Sequence, residues 1–148
     1  MLLTVPGLPL IYNGDEVGAE FEPYDEGPPI TWTDTHGLRG HYARLVALRR
    51  EHPALRSQPL EMLETSHPDA VLAYLRPGDA REDDIVALLN YGPAAVRATL
   101  PGSVVRGTAS FLDLLSGDAI VIASEAPAID VPAWGARVLR RGTGGTPK

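Results

Sequence analysis

Cysteine is absent from this chain, and lysine nearly so: Lys148 is the only one, every other basic side chain being arginine. Without thiols there can be no disulfide and no thiolate metal site. Positive charge is in deficit as well. The formal net charge is −6, and no Lys/Arg run interrupts the sequence. Nucleic-acid binding needs a clustered basic face, so that partner class is excluded. No stretch reaches the roughly 18 consecutive apolar residues of a membrane span. Met1-Leu2-Leu3 opens a short apolar run, but it lacks the basic n-region and small-residue cleavage site of a signal peptide. A membrane partner is therefore not expected either.

What is present is enough for a core. The chain has 148 residues and is 44% hydrophobic, a length of one or two domains. A domain of this size buries only about two-thirds of its unfolded surface. No internal repeat is visible. The most informative stretch runs from Thr4 to Glu16. Val5 to Tyr12 is apolar on both faces apart from its prolines and glycine, the texture of a strand buried on both sides in a parallel sheet. Pro6 and Pro9 confine ladder pairing to Leu10-Ile11-Tyr12. Asn13-Gly14 then signals a turn, followed by Asp15 and Glu16. Acidic loops at strand carboxyl ends lie where ligands gather in parallel α/β folds. At the start of the chain such a strand has almost no companions, so the reading is of the back end of a larger enzyme.

Glu20 to His36 shows no periodicity but holds Phe21, Tyr24 and Trp32. A long ordered loop is expected there, and loops of that length are usually functional. Leu38, Tyr42, Leu45, Val46 and Arg49 then recur at helical spacing, with Arg39, Arg44 and Arg50 on the other side. His52-Pro53 ends that helix. From Gln58 the texture is β. Strands are expected over 70–75, 85–90, 95–100, 111–114, 119–123, 129–131 and 136–140. Between them stand Pro77-Gly78, Tyr91-Gly92-Pro93, Pro101-Gly102 and Ser116-Gly117-Asp118. Short strands at this spacing predict an antiparallel sandwich or Greek-key module. Residues 143–148 are expected to form a disordered tail.

These residues carry a resemblance. Pro6 to Glu16 resembles the segment around the eighth barrel strand of the α-amylase family, glycoside hydrolase family 13, which typically reads G-x-P-x-I-Y-x-G-x-E. Pro29-Ile30-Thr31-Trp32 is similar to the P-[MI]-x-W stretch of the following loop. Residues 42–55 resemble the last barrel helix, often Y-x-x-L-I-x-L-R-x-x-x-P-A-L. Residues 86–91, 112–117 and 133–139 resemble strands of the β-sandwich that follows the barrel. The matches cover nearly the whole chain in the family's order. Asn13 departs from the pattern, since many members carry a second aromatic there.

The resemblance implies an α+β fragment. Residues 1–57 would supply the final strand, loop and helix of a (β/α)8 barrel, and residues 58–142 an antiparallel Greek-key β-sandwich supporting it. It implies a retaining α-glucosidic hydrolase as parent, with an α-glucan or oligosaccharide and the upstream barrel segment as partners. A retaining glycosidase needs two carboxyl groups about 5–5.5 Å apart. No residue here matches the family's nucleophile, acid/base or stabiliser motifs, so no catalytic residue is expected in this chain and the chain alone is expected to be inactive. Tyr12, Asn13, Asp15, Glu16 and Trp32 are the residues expected near substrate in the parent. Asp15 and Glu16 are adjacent on an extended segment and point opposite ways, which argues against a catalytic pair. Their plainer role is to order the loop by accepting backbone hydrogen bonds. Likewise, Tyr12, Phe21, Tyr24 and Trp32 are expected to pack the long loop rather than stack on sugars.

Trp134 is expected at a core or corner position rather than as a sugar platform. His36, His41, His52 and His67 lack metal-ligand spacing. Glu82-Asp83-Asp84 reads as a solvated turn. No cofactor is expected, and a calcium ion in the parent would rest on upstream residues. The rival reading is a stand-alone β-sandwich that binds carbohydrate or protein.

Overall fold

A computed structural model describes residues 1–20, 29–105, 110–122 and 128–142. Two antiparallel sheets dominate it. The larger has six strands: β1 (Glu61–Leu63), β2 (Val71–Arg76), β3 (Ile85–Asn90), β5 (Ser110–Asp113), β6 (Ala119–Val121) and β8 (Ala136–Arg141). Their spatial order is β1-β2-β3-β8-β5-β6, and the smaller sheet pairs β4 (Val96–Thr99) with β7 (Ala128–Val131). The chain leaves the large sheet after β3, returns for β5 and β6, and leaves again for β7. It comes back as β8 between β3 and β5. Such crossings between sheets are those of a Greek-key sandwich. The strands expected from the alternation appear within a residue or two of their predicted ends. Val96 to Leu100 behaves as its pattern requires, with Ala98 and Leu100 buried and Arg97 exposed.

The large sheet buries both faces. Toward the small sheet, Val71, Ala73, Val86, Leu88, Phe111 and Leu139 meet Ala98, Ile129 and Val131. The short helix α2 (Gly102–Val105) adds Val104 and Val105 to that core. On the opposite face, Ile85 and Val138 meet Leu48, Ala54 and Leu55. Leu48 belongs to α1 (Leu38–Glu51), the one long helix among the described residues, called the N-terminal helix below. Its start is capped by Asp34, whose carboxylate accepts the N–H groups of Leu38 (2.7 Å) and Arg39 (3.1 Å). Its end is closed by Arg56, which donates to the carbonyls of Arg49 and Arg50.

The strand expected over Val5–Tyr12 does not form. Residues 1–20 contain no strand, only turns, bends and a 3-10 turn at Asp15–Val17. The physical reason is the one that makes a strand costly without neighbours: Pro6 and Pro9 have no N–H to donate, and no other strand runs alongside. Leu8 is 99% exposed and Leu10 72%. Barrel geometry is thus not seen in these residues. The expected tail, 143–148, lies outside the described residues, as do Phe21 and Tyr24.

Candidate functional site

The acidic turn is built locally. The backbone N–H of Tyr12 donates to Asp15 Oδ2 (2.8 Å), and the N–H of Asp15 donates back to the Tyr12 carbonyl (3.0 Å). Asp15 therefore does what its plainer reading required: it orders the loop. Gly14 sits at φ +95°, and a Cβ there would meet Ala19 Cβ at 2.8 Å, so the turn needs glycine. Val17 is buried beneath it. Asn13, Asp15 and Tyr12 are exposed, and Glu16 is half-buried. Trp32 is also exposed, and its carbonyl accepts a hydrogen bond from Arg39 Nη2 (3.2 Å). Ile30, two residues from Trp32, lies against Gly14. The structure thus gathers Tyr12, Asn13, Asp15 and Glu16 in one turn, with the segment carrying Trp32 packed beside it.

What fixes this region was missed in the sequence. Arg49, from the N-terminal helix, is 8% exposed, and Arg76, from β2, is 0% exposed. Arg49 donates to the carbonyls of Leu3 (3.1 Å), Val5 (3.0 Å), Gly7 (2.5 Å) and Leu55 (2.6 Å). Arg76 donates to the carbonyls of Thr4, Leu55, Ser57 and Pro59. Neither forms an ion pair with a carboxylate among the described residues. Burial first, and then the nearby Arg49, hold the Arg76 pKa below its ordinary value. Tyr74, on the same face of β2, shares a 2.5 Å hydrogen bond with Thr4 Oγ1. Burial raises the Tyr74 pKa, while the Thr4 hydrogen bond and Arg76 oppose the rise. Two cations and a phenol therefore pin residues 3–7 to the sheet. The signal for Arg49 was its place on the apolar helix face, four residues after Leu45. For Arg76 it was the period of two through Leu72 and Tyr74.

Other expectations resolve as follows. Asp84 is not a solvated turn residue: it is buried, accepts the Gly78 N–H (3.0 Å) and lies 3.4 Å from Arg141 Nε. Asp113, wholly buried, takes a 2.8 Å ion pair from Arg137 and the N–H of Leu115 (3.0 Å). Trp134 occupies a corner and not the core. It is 71% exposed with φ +51°, in the turn between β7 and β8. Among the described residues no group of three His, Asp or Glu side chains is placed to hold a metal ion. No helix among them is long and apolar enough to cross a membrane.

No family model matches the sequence. A cyclomaltodextrinase from a Bacillus species is 34% identical over 92 residues, covering 59% of this chain and 16% of that enzyme. The structure of an Anoxybacillus α-amylase superposes with a TM-score of 0.79 at 25% identity, covering 97% of this chain and 31% of that one. In sequence and fold the chain is similar to part of these α-amylase-family enzymes. A third relative, an AmyP variant in complex with maltotriose, shares the fold at a TM-score of 0.76 and 18% identity, covering 96% of this chain and 33% of that one. The chain thus spans a third or less of each of these amylase-type glycoside hydrolases.

Proposed function

We propose that this chain is the C-terminal portion of a retaining α-glucosidic hydrolase. In that reading, residues 1–57 complete a (β/α)8 barrel and the sandwich braces it. The catalytic carboxylates come from upstream strands. The upstream barrel segment is the protein partner, and an α-glucan or oligosaccharide is the substrate. The observation that carries the reading is the state of the N-terminal segment. Residues 3–7 are tied down by Arg49 and Arg76, yet the next residues expose Leu8, Leu10, Ile11 and Tyr12. An anchored segment that ends in open apolar side chains fits a stave awaiting neighbouring strands. Tyr12, Asn13, Asp15, Glu16 and Trp32 would then stand at the rim near the sugar. Asp15 shapes the turn, and none of the five performs the chemistry.

The test is to read the coding sequence upstream of Met1, express the joined polypeptide and assay both forms on maltooligosaccharides and a chromogenic α-glucoside. The joined form is expected to cleave with retention of anomeric configuration, and residues 1–148 alone to show no turnover. Turnover by residues 1–148 that vanishes in Asp15→Asn or Glu16→Gln would overturn the proposal.

A further inference from the structure

Two buried guanidiniums stand side by side. Arg49 and Arg76 both donate to the Leu55 carbonyl, at 2.6 Å and 3.4 Å. Neither has a carboxylate partner among the described residues. Like charges this close repel, so something of negative character has to offset them. Their acceptors show what it is. Arg49 takes the carbonyls of Leu3 and Val5, and Arg76 takes that of Thr4 between them. Three consecutive carbonyls that reach one pair of cations point the same way along the chain. Carbonyls do so at the carboxyl end of a helix, where the last four lack intrahelical partners. In an extended segment they alternate.

Residues 1–5 close the matching turn. The Met1 carbonyl accepts the N–H groups of Thr4 (2.9 Å) and Val5 (3.2 Å), and the Thr4 hydroxyl as well (2.9 Å). The bond from Val5 has the spacing of an α-helix. The next acceptor in such a ladder is the Leu2 carbonyl, and Pro6 has no N–H to give it, so the helical pattern stops there. Gly7 follows at φ +103°, a glycine just past a helix end. A single turn aligns too few peptides to offset two cations. A full helix carries about half a negative charge at this end.

We infer that Arg49 and Arg76 form a receptor for the carboxyl end of a helix, of which residues 1–4 are the last turn and the polypeptide upstream of Met1 is the body. That residues precede Met1 rests on the proposed function. One arginine of the receptor comes from the N-terminal helix and the other from β2 of the sandwich, so the helix end is clamped by both parts of the chain. The Met1 side of the helix faces the sandwich, because the Tyr91 hydroxyl donates to Met1 Sδ (3.6 Å). Positions three and four before Met1 share that side of a helix. They cover Tyr91, whose ring is otherwise left open to solvent.

The experiment grafts a helix onto residues 1–148. An alanine-rich extension of about twelve residues, marginally helical by itself, is compared with a Gly/Ser extension of equal length. The alanine-rich form is expected to gain far-ultraviolet ellipticity and to lower the unfolding equilibrium constant in urea about fivefold. Exchange of the Arg49 and Arg76 side-chain N–H groups should slow. Leu2→Pro removes a donor and clashes with the carbonyl four places upstream, so it should abolish all three differences and leave β3 protected. Arg49→Gln should reduce the stability factor to about twofold, each extension being compared within the same background. Equal ellipticity and stability for the two extensions would overturn the inference, as would a factor undiminished in either variant. If Arg49→Gln does not fold, unchanged guanidinium exchange between the two extensions overturns it instead. In the joined polypeptide, amides over about the ten residues before Met1 should be protected, and unprotected amides there count against the inference equally. No step uses a saccharide. A graft without effect sinks this inference and leaves the proposed activity standing, whereas a joined polypeptide protected before Met1 but inactive on glucans sinks the activity alone.

Discussion

Arg76 concentrates the logic of this molecule in one side chain. A fully buried guanidinium is costly unless its donors are all used. Here the partners are main-chain carbonyls, drawn from residue 4 and from residues 55–59, rather than a carboxylate. The planar fork spreads five donors over three nitrogens and so reaches carbonyls of separate segments, whereas a lysine ammonium has three donors on one nitrogen. Arg76→Met should therefore lower unfolding stability by about 3–5 kcal/mol, because it strands several buried acceptors. Arg76→Lys should recover only part of that loss. Urea unfolding followed by circular dichroism measures both. A loss below about 1 kcal/mol for Arg76→Met would show that water replaces the guanidinium at little cost. The period of two marks Arg76 as sharing the Tyr74 face, but its hydrogen-bond partners could not be read ahead in the sequence. A strand-end arginine looks solvent-facing until the segment that covers it is placed, and that segment lies some seventy positions earlier.

At the scale of elements, the seam between the N-terminal helix and the large sheet gives a pH-dependent expectation. His52 closes the helix, and its N–H donates to the Leu48 carbonyl (2.9 Å). Burial first, and then Arg140 of β8, lower its pKa from the ordinary 6.5, against the opposing pull of Glu51 and Asp83. The folded state thus holds its proton less tightly than the unfolded one. Stability from this group is full above the ordinary imidazole range and falls as pH drops through it, until the lowered folded value is passed. The thermal midpoint should decline from pH 7.5 toward pH 5 (about the imidazole window), and His52→Asn should flatten that decline. An unchanged slope in the variant would place the titrating group elsewhere.

The same scale shows what the sequence made legible. The long helix and seven of the eight strands among the described residues follow from period and punctuation, because half-buried strands alternate and helices repeat at 3.6. β1 escaped notice because Glu61-Met62-Leu63 is a three-residue edge strand whose first two side chains are exposed. The opposite error, a strand expected over Val5–Tyr12, arose because an apolar run specifies burial, not the neighbour it will be buried against. The Asn13-Gly14 turn was legible for a local reason: its hydrogen bonds close within four residues.

For the molecule as a whole, the question is how order is distributed between its two ends. β3 is flanked by β2 and β8 and has both faces covered, so its amides should open only with global unfolding. Residues 3–5 are held by side chains from elsewhere. Beyond Gly7 that hold ends, and Leu10 and Ile11 lie in no strand. Their amides should exchange rapidly while those of Val86 and Leu88 remain protected. The same residues present apolar side chains to solvent, a surface that favours self-association. Sedimentation should therefore show concentration-dependent association that a Leu8→Asp, Leu10→Asp double variant suppresses, with β3 protection unchanged in that variant. If Leu10 and Ile11 instead exchange slowly in a strictly monomeric sample, the segment is folded onto the chain's own surface. The case for a missing set of neighbouring strands then loses its main support. Fast exchange and association together are the outcome expected of the proposed barrel strand, held at residues 3–7 by its anchoring arginines and open beyond them.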